Sequence, residues 1–340
     1  MKTPSVENWL QVRPEGLYVV PADLYIDPQR PVERAVVTHG HADHARPGQE
    51  RVLATAETLA IMRHRMGAEG APRAPQALRY GEALEIGGVR LRLAPAGHVL
   101  GSAQVVLEHG GCRVVVSGDY KRRRDPTCAP FEVVPCDVFI TEATFGLPVF
   151  QHPADRDEMA KLLHSLQVFP ESAHVVGCYA LGKCQRLIMM LREAGWDGPI
   201  WLHGAQIGLC DLYRAHGVAL GELRPATVAD RESLRGGIVL APPSAIQDRW
   251  ARRLPDPVVC MASGWMQVRQ RAKQRGVQLP LIVSDHADWP ELQRTVIETG
   301  CAQLWVTHGQ EEPLVHWARG QGIDARALYL LGLGEEEEAA

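Results

Sequence analysis

Arg34-Ala35-Val36-Val37-Thr38-His39-Gly40-His41-Ala42-Asp43-His44 opens on a short apolar, β-branched run and closes on four metal-ligating side chains within six residues. The run Arg34–Thr38 reads as a strand. Side chains alternate along an extended segment, so His39 and His41 share one side of it. If the chain then turns into a helix, Asp43 and His44 project toward a second point close by. Imidazole with carboxylate suits zinc, manganese or iron. A merely solvated loop explains that density poorly.

The same composition of ligands recurs further along. His98 follows VRLRLAPAG, Asp119 follows CRVVVSG, and His308 follows CAQLWVT, each beside a glycine at the end of an apolar run. Alone, each would pass for a turn residue or a satisfied histidine. Gathered from separate strand ends, they describe a sheet-edge active site. Asp119 adds a carboxylate able to bridge two metals.

The bulk numbers set the frame. The chain has 340 residues, 46% hydrophobic and 22% charged, with a net charge of −4. That is ordinary globular composition, long enough for one large or two ordinary domains. No apolar run has the length of a membrane span, and the first sixteen residues lack the apolar stretch of a signal peptide. A cytoplasmic protein with no membrane partner is therefore expected. The eight cysteines are scattered without CxxC spacing, so reduced, buried thiols are expected rather than a disulfide framework or a zinc knuckle. The negative net charge gives no general sign of nucleic-acid binding, so any phosphate track must be local. Lys121-Arg122-Arg123-Arg124 and the series Arg269, Arg271, Lys273 and Arg275 are the local candidates.

Two textures divide the chain. From Leu17 to about Gly146, short apolar runs are broken by Gly, Pro and Asp, and AQVVLEHGGCRVVVSGD predicts a β-hairpin turning at His109-Gly110-Gly111. One helix stands out there, from about Ala56 to Met66. From about His152 the pattern becomes helix and strand in alternation, through ADRDEMAKLLHSLQVF, HVVGCYA, LGKCQRLIMMLREAGW, PIWLHG and AQIGLCDLYRAHG, which predicts a parallel sheet flanked by helices. After Leu279 come two strand-loop-helix units. The run Glu335–Glu338 reads as a solvated acidic tail.

HGHADH, the AGH at His98, the SGD at Asp119 and the THG at His308 resemble, in order, the metal-binding signature of the metallo-β-lactamase fold. The resemblance implies one metal on His39, His41 and His98, a second on Asp43, His44 and His308, and Asp119 between them. Asp27, in LYIDPQ, resembles the early aspartate that supports the metal loop from behind. Beyond Asp119, TEATFG with Glu142, SDHAD with His286 and THGQEE with His308 resemble the three additional motifs of the β-CASP nucleases. YALGKCQRL and MASGWM resemble segments of their inserted domain. The implied class is α/β, an αββα metallo-β-lactamase sandwich formed by residues 1–147 and 283–334, with a β-CASP α/β insert over 148–282 and an acidic tail over 335–340. Two divalent metals, zinc first and manganese second, would activate a water and clamp phosphate oxygens. His286 is the expected general acid and Glu142 its orienting partner, with Asp43 a ligand essential to catalysis. Lys183, Ser263, Gly264 and Lys121 are the expected substrate contacts.

Within the β-CASP group, a histidine in the third motif favours the RNA-directed branch, which includes RNase J. The compact insert, the short stretch after His308 and the layout of YALGKCQRL with ASGWM resemble the bacterial ligase-associated DNA exonucleases instead. The expectation is a 5′-to-3′ DNA exonuclease of DNA repair, working beside an ATP-dependent DNA ligase and a helicase. An RNA-processing ribonuclease is the alternative. A small-molecule thiolester or lactam hydrolase would leave Glu142, His286 and the insert unexplained.

Overall fold

The computed structural model describes residues 6–328, so the acidic tail expected at 335–340 lies outside the described residues. The chain divides at Val149/Phe150 and again at Asp285/His286 into two compact units. His286 thus belongs to the first unit, and Asp285 to the second.

The first unit is built on two sheets. One orders Leu10–Arg13, Gly16–Val19, Leu24–Ile26, Arg34–Val36, Arg51–Ala54 and Ala74–Ala77. The other orders Asp324–Ala327, Gln303–Gly309, Val138–Ala143, Cys112–Val116, Ala103–His109, Val89–Pro95 and Ala83–Ile86. Period-two alternation decides what each strand buries. Val36, Leu53, Val105, Leu107, Val114, Val116, Val138 and Ile140 enter one cluster between the sheets. Their neighbours turn the other way: Ala35, Val37, Val52 and Ala54 meet Met62 of the helix Ala56–Gly70. Val106, Val115 and Phe139 meet Leu292 and Val296 of Trp289–Thr299 and Leu314 and Val315 of Glu311–Gly320. Helix, sheet, sheet and helix form four layers. Both faces are covered at central strands such as Cys112–Val116 and Val138–Ala143, which is why they are apolar almost throughout, whereas the edge strand Ala74–Ala77 is exposed.

The predicted hairpin turns through Gly110-Gly111, with Cys112 opposite His109. Both glycines have positive φ (59° and 80°), the requirement of a two-residue turn matched to strand twist. An equivalent turn at Gly87-Gly88 and the final strand Asp324–Ala327 have no counterpart in the sequence reading.

The second unit holds a six-stranded sheet ordered Leu223–Pro225, Ile200–Leu202, Ile238–Ala241, His174–Gly177, Val258–Ala262 and Leu279–Leu281. Every pairing in it is parallel, as the alternating helix-strand texture predicts. Helices Lys183–Glu193 and Gly204–Ala215 supply crossovers between its strands, and Asp155–Val168 leads into the first of them, His174–Gly177. Hydrophobic clusters under Val175, Trp201, Val239, Met261 and Met266 close its core.

Candidate metal centre

The strands of the first unit end together. Cys112–Val116, Val138–Ala143 and Gln303–Gly309 are parallel neighbours, so Asp119, Glu142 and His308 arrive at one edge. His39, His41, His98 and Asp119 bring ligand atoms within 4.8 Å of one another, and so do Asp43, His44 and His308. These are the two sets that the resemblance implies. Asp119 Oδ2 lies 3.4 Å from His39 Nε2, 3.8 Å from His98 Nε2 and 3.3 Å from His44 Nε2. Its carboxylate therefore stands between the sets. His44 Nε2 is 3.5 Å from Asp43 Oδ2, and His98 Nε2 is 3.0 Å from His41 Nδ1.

Those separations fit a coordination shell. Ligands at about 2.1 Å from a tetrahedral zinc stand about 3.4 Å apart. His39 Nε2, His44 Nε2, Asp43 Oδ1, Asp119 Oδ1 and His308 Nδ1 are buried without a hydrogen-bond partner. Asp27, Asp43 and Asp119 are buried too, and among the described residues their ion-pair partners are histidines alone. Three buried carboxylates with no lysine or arginine call for another cation. Five imidazoles and two carboxylates suit divalent zinc or manganese.

The titration of the cluster follows the same logic. Burial drives His39 well below its ordinary value, reinforced by charge on His44, so it stays neutral as a ligand must. Burial also opposes charge on His44, but Asp119 and Asp43 outweigh it and hold the ring well above its usual range, so with no ion bound the ring takes up a proton that a metal would have to displace. Burial raises Asp119, yet His44 and His308 overcome it and keep the carboxyl ionised far into acid.

Local structure explains how the loop is held. The chain after His41 makes a single turn, with Ala45 N–H donating to His41 O at 2.8 Å, and does not enter the helix that would otherwise aim Asp43 and His44. Asp27 is the brace. Its Oδ1 accepts from Thr38 N–H at 2.8 Å and its Oδ2 from the Thr38 hydroxyl at 2.6 Å. His44 Nδ1 reaches the same Oδ2 at 2.8 Å, leaving Nε2 for a metal. Thr38 Oγ1 also meets His39 Nδ1 at 3.0 Å. Gln29 Nε2 donates to Asp43 O at 2.6 Å, and Arg65 to Gly40 O at 2.5 Å. Gly40 has no room for a side chain: a Cβ there would lie 2.4 Å from Ile61 Cγ2. Gly118, at φ 56°, would likewise press a Cβ to 2.8 Å from Thr38 Cβ.

His308 is placed by an irregularity. Thr141 pairs with Val306 and Ala143 with Gly309, so the second strand carries one extra residue opposite Glu142. His308 occupies that bulge at φ 62°, a left-handed conformation that costs a non-glycine residue about 1–2 kcal/mol. Bulges re-aim side chains beside active sites. Across from it, Glu142 Oε2 accepts from His286 Nδ1 at 2.9 Å and from the Thr144 hydroxyl at 2.5 Å. Glu142 is closed to solvent, whereas the His286 side chain keeps 11% of its surface exposed. The His286 and His98 rings stand 4.7 Å apart.

The expected substrate contacts fare differently. Lys121 is 1% exposed and donates to His286 O at 2.8 Å and Glu291 Oε2 at 2.9 Å. Arg122 engages Glu298 and Thr295, and Arg123 engages Asp288. Lys121, Arg122 and Arg123 are thus tied into the fold, whereas Arg124 is exposed. Lys183 is 1% exposed and bound to Asp285 at 2.7 Å. Its backbone N–H donates to Leu181 O, so the helix start offers no free amide at that position. Ser263 and Gly264 are buried, and Ser263 caps a short 3-10 turn by accepting from Trp265 N–H at 3.2 Å. Thr38, Gln29, Arg65 and Thr144 support the cluster, yet in the sequence only Thr38 adjoins a candidate ligand, His39, and the other three carry no signal.

Residues 24–168 match the metallo-β-lactamase superfamily. The chain has a metallo-β-lactamase fold with an additional α/β domain and is homologous to the β-CASP nucleases. It is 30% identical over 318 residues, 92% of its length, to a protein of Opitutus terrae named a probable DNA ligase, of which the match covers 30%. Over 126 residues it is 31% identical to cleavage and polyadenylation specificity factor 73 of Drosophila melanogaster, covering 36% of this chain and 18% of that protein. Over 131 residues it is 31% identical to endoribonuclease YSH1 of Saccharomyces cerevisiae, covering 38% and 17%. The chain thus spans less than a third of the length of these curated relatives. A protein of unknown function from Enterococcus faecalis shares the fold, with a TM-score of 0.56 at 11% identity, covering 80% of this chain and 74% of that one.

Proposed function

We propose that this chain is a two-metal phosphodiesterase acting on nucleic acid, and that its polymer is DNA. The observation that carries the reading is the Glu142–His286 pair, 2.9 Å apart, beside two sets of metal ligands. When bound, divalent ions supply Lewis acidity toward phosphoryl oxygens and a nucleophilic water at neutral pH. His39, His41 and His98 would hold one ion and Asp43, His44 and His308 the other, with the Asp119 carboxylate between the two sets. Asp27 fixes the His44 ring. Glu142 anchors Nδ1 of His286, which leaves Nε2 to deliver a proton to the departing sugar oxygen. A thiolester hydrolase expels a thiolate and needs no such acid, and neither a thiolester nor a lactam accounts for the additional α/β domain.

Similarity over 92% of the chain to a protein named a DNA ligase supports DNA as substrate and a ligase as partner. Relatives named endoribonucleases match over little more than a third of the chain, so RNA is the second reading. An exonuclease of 5′-to-3′ polarity, serving repair with a ligase and a helicase, is the form we favour. None of the eight cysteines forms a disulfide, which suits the reducing cytoplasm. End-labelled single-stranded DNA, duplex DNA and RNA, each supplied with zinc, manganese or magnesium, test the assignment. Progressive shortening of DNA from its 5′ end is expected; preferential cleavage of RNA would overturn the DNA reading. His286→Ala should lower kcat about 10²–10⁴-fold while metal content by mass spectrometry stays at wild-type level. Loss of metal in that variant would make His286 a ligand instead.

A further inference from the structure

We propose that Lys121 is a positioning residue for the proton donor, holding the main chain of His286 so that its ring is aimed. This rests on the phosphodiesterase reading above. Lys121 is 1% exposed, and its ammonium reaches 165 residues ahead to His286 O at 2.8 Å. Three further bonds complete a closed circuit. Ala287 N–H donates to Tyr120 O at 2.7 Å, and Tyr120 N–H donates to Glu142 Oε1 at 2.8 Å. Glu142 Oε2 then returns to His286 Nδ1 at 2.9 Å. The acid is therefore gripped twice, at its ring by Glu142 and at its carbonyl by Lys121. Lys121 and Tyr120 follow Asp119 directly, so the acid is registered to the carboxylate between the two metal sets.

The far side of the ammonium is fixed as well. Glu291 Oε2 accepts from Lys121 at 2.9 Å, and Glu291 also closes the capping box of the helix Trp289–Thr299 with Asp288. Arg123 contacts both Asp288 and Glu291. The chain thus passes from the acid into its helix under a lattice of charge-assisted bonds, which are the stronger kind. Rigid support matters here, because a misplacement of about 1 Å can cost about 100-fold in rate.

Two other roles for Lys121 make different predictions. A phosphate contact would raise KM for DNA, and a purely structural role would reduce all activities together. The discriminating assay compares DNA, whose alkoxide leaving group needs a proton, with bis(p-nitrophenyl) phosphate, whose phenolate departs without one. Lys121→Met is expected to lower kcat on DNA by about 100-fold. KM, metal content and turnover of the nitrophenyl ester should stay close to wild type. Equal losses on both substrates, or a raised KM with kcat intact, would overturn the proposal. Should Lys121→Met fail to fold because Glu291 loses its ammonium partner, the double variant Lys121→Met/Glu291→Gln is held to the same outcomes. A wild-type protein inactive on both substrates refutes the phosphodiesterase reading itself, and the role of Lys121 with it.

Discussion

Asp27 shows how much a single side chain can organise. It sits at φ 44° and ties Thr38, at the end of one strand, to His44, at the end of the metal loop. Groups that orient ligands commonly contribute about 10- to 100-fold to metal affinity. Asp27→Ala should therefore weaken zinc binding by about that factor, measured by competition with a chromogenic chelator, and restore activity at high metal. Wild-type affinity in that variant would remove Asp27 from the site. The ligands themselves are legible one by one, because imidazole and carboxylate at strand ends announce themselves. Lys121 is not. It stands in a basic run, and such a run looks solvated in a sequence; only the fold shows that its partners lie 165 and 170 residues away.

At the scale of elements, the metal loop depends on the helix behind it. Gly40 packs against Ile61 in Ala56–Gly70, and Arg65 of that helix holds the Gly40 carbonyl. Gly40→Ala should cost about 1–3 kcal/mol through overpacking, read from denaturant midpoints. Adding Ile61→Ala should recover part of that loss; if it recovers none, the contact is not the cause. In the second unit, Arg249, Arg252, Arg253, Arg269 and Lys273 are exposed and form no ion pair among the described residues, while Gln247 Nε2 donates to Arg275 O and joins their two segments. Replacing Arg249, Arg252 and Arg253 with Gln should reduce the salt dependence of DNA binding by about one in slope for each phosphate no longer neutralised. An unchanged slope would make this a solvated face. The helix at 56–66, the hairpin at 109–111 and the parallel sheet of the second unit are legible in sequence, since periodicity and turn glycines are local. The Gly87-Gly88 turn and the bulge at His308 are not, and the bulge exists only relative to the strand beside it.

At the scale of the molecule, ions bound at the His/Asp cluster would add to the stability of the fold. Buried Asp27, Asp43 and Asp119 lose a countercharge when the ions are removed. Ligand present at about 100 times its Kd stabilises by about 2.7 kcal/mol. Chelation should thus lower Tm by roughly 5–10 °C, followed by circular dichroism, and added zinc should restore it. A Tm unmoved by chelator would show that the protein does not hold metal in this cluster.

The sequence by itself determined the ligand types, their order along the chain and the division into two textures, because those depend on residue chemistry and on periodicities of a few residues. Only the tertiary structure decided that His39, His41 and His98 gather on one side of Asp119 and Asp43, His44 and His308 on the other, that Glu142 meets His286, and that Lys121 reaches the His286 carbonyl. Distances across a sheet edge or between segments far apart in the chain follow from strand register and packing, and neither is written in any short stretch of sequence.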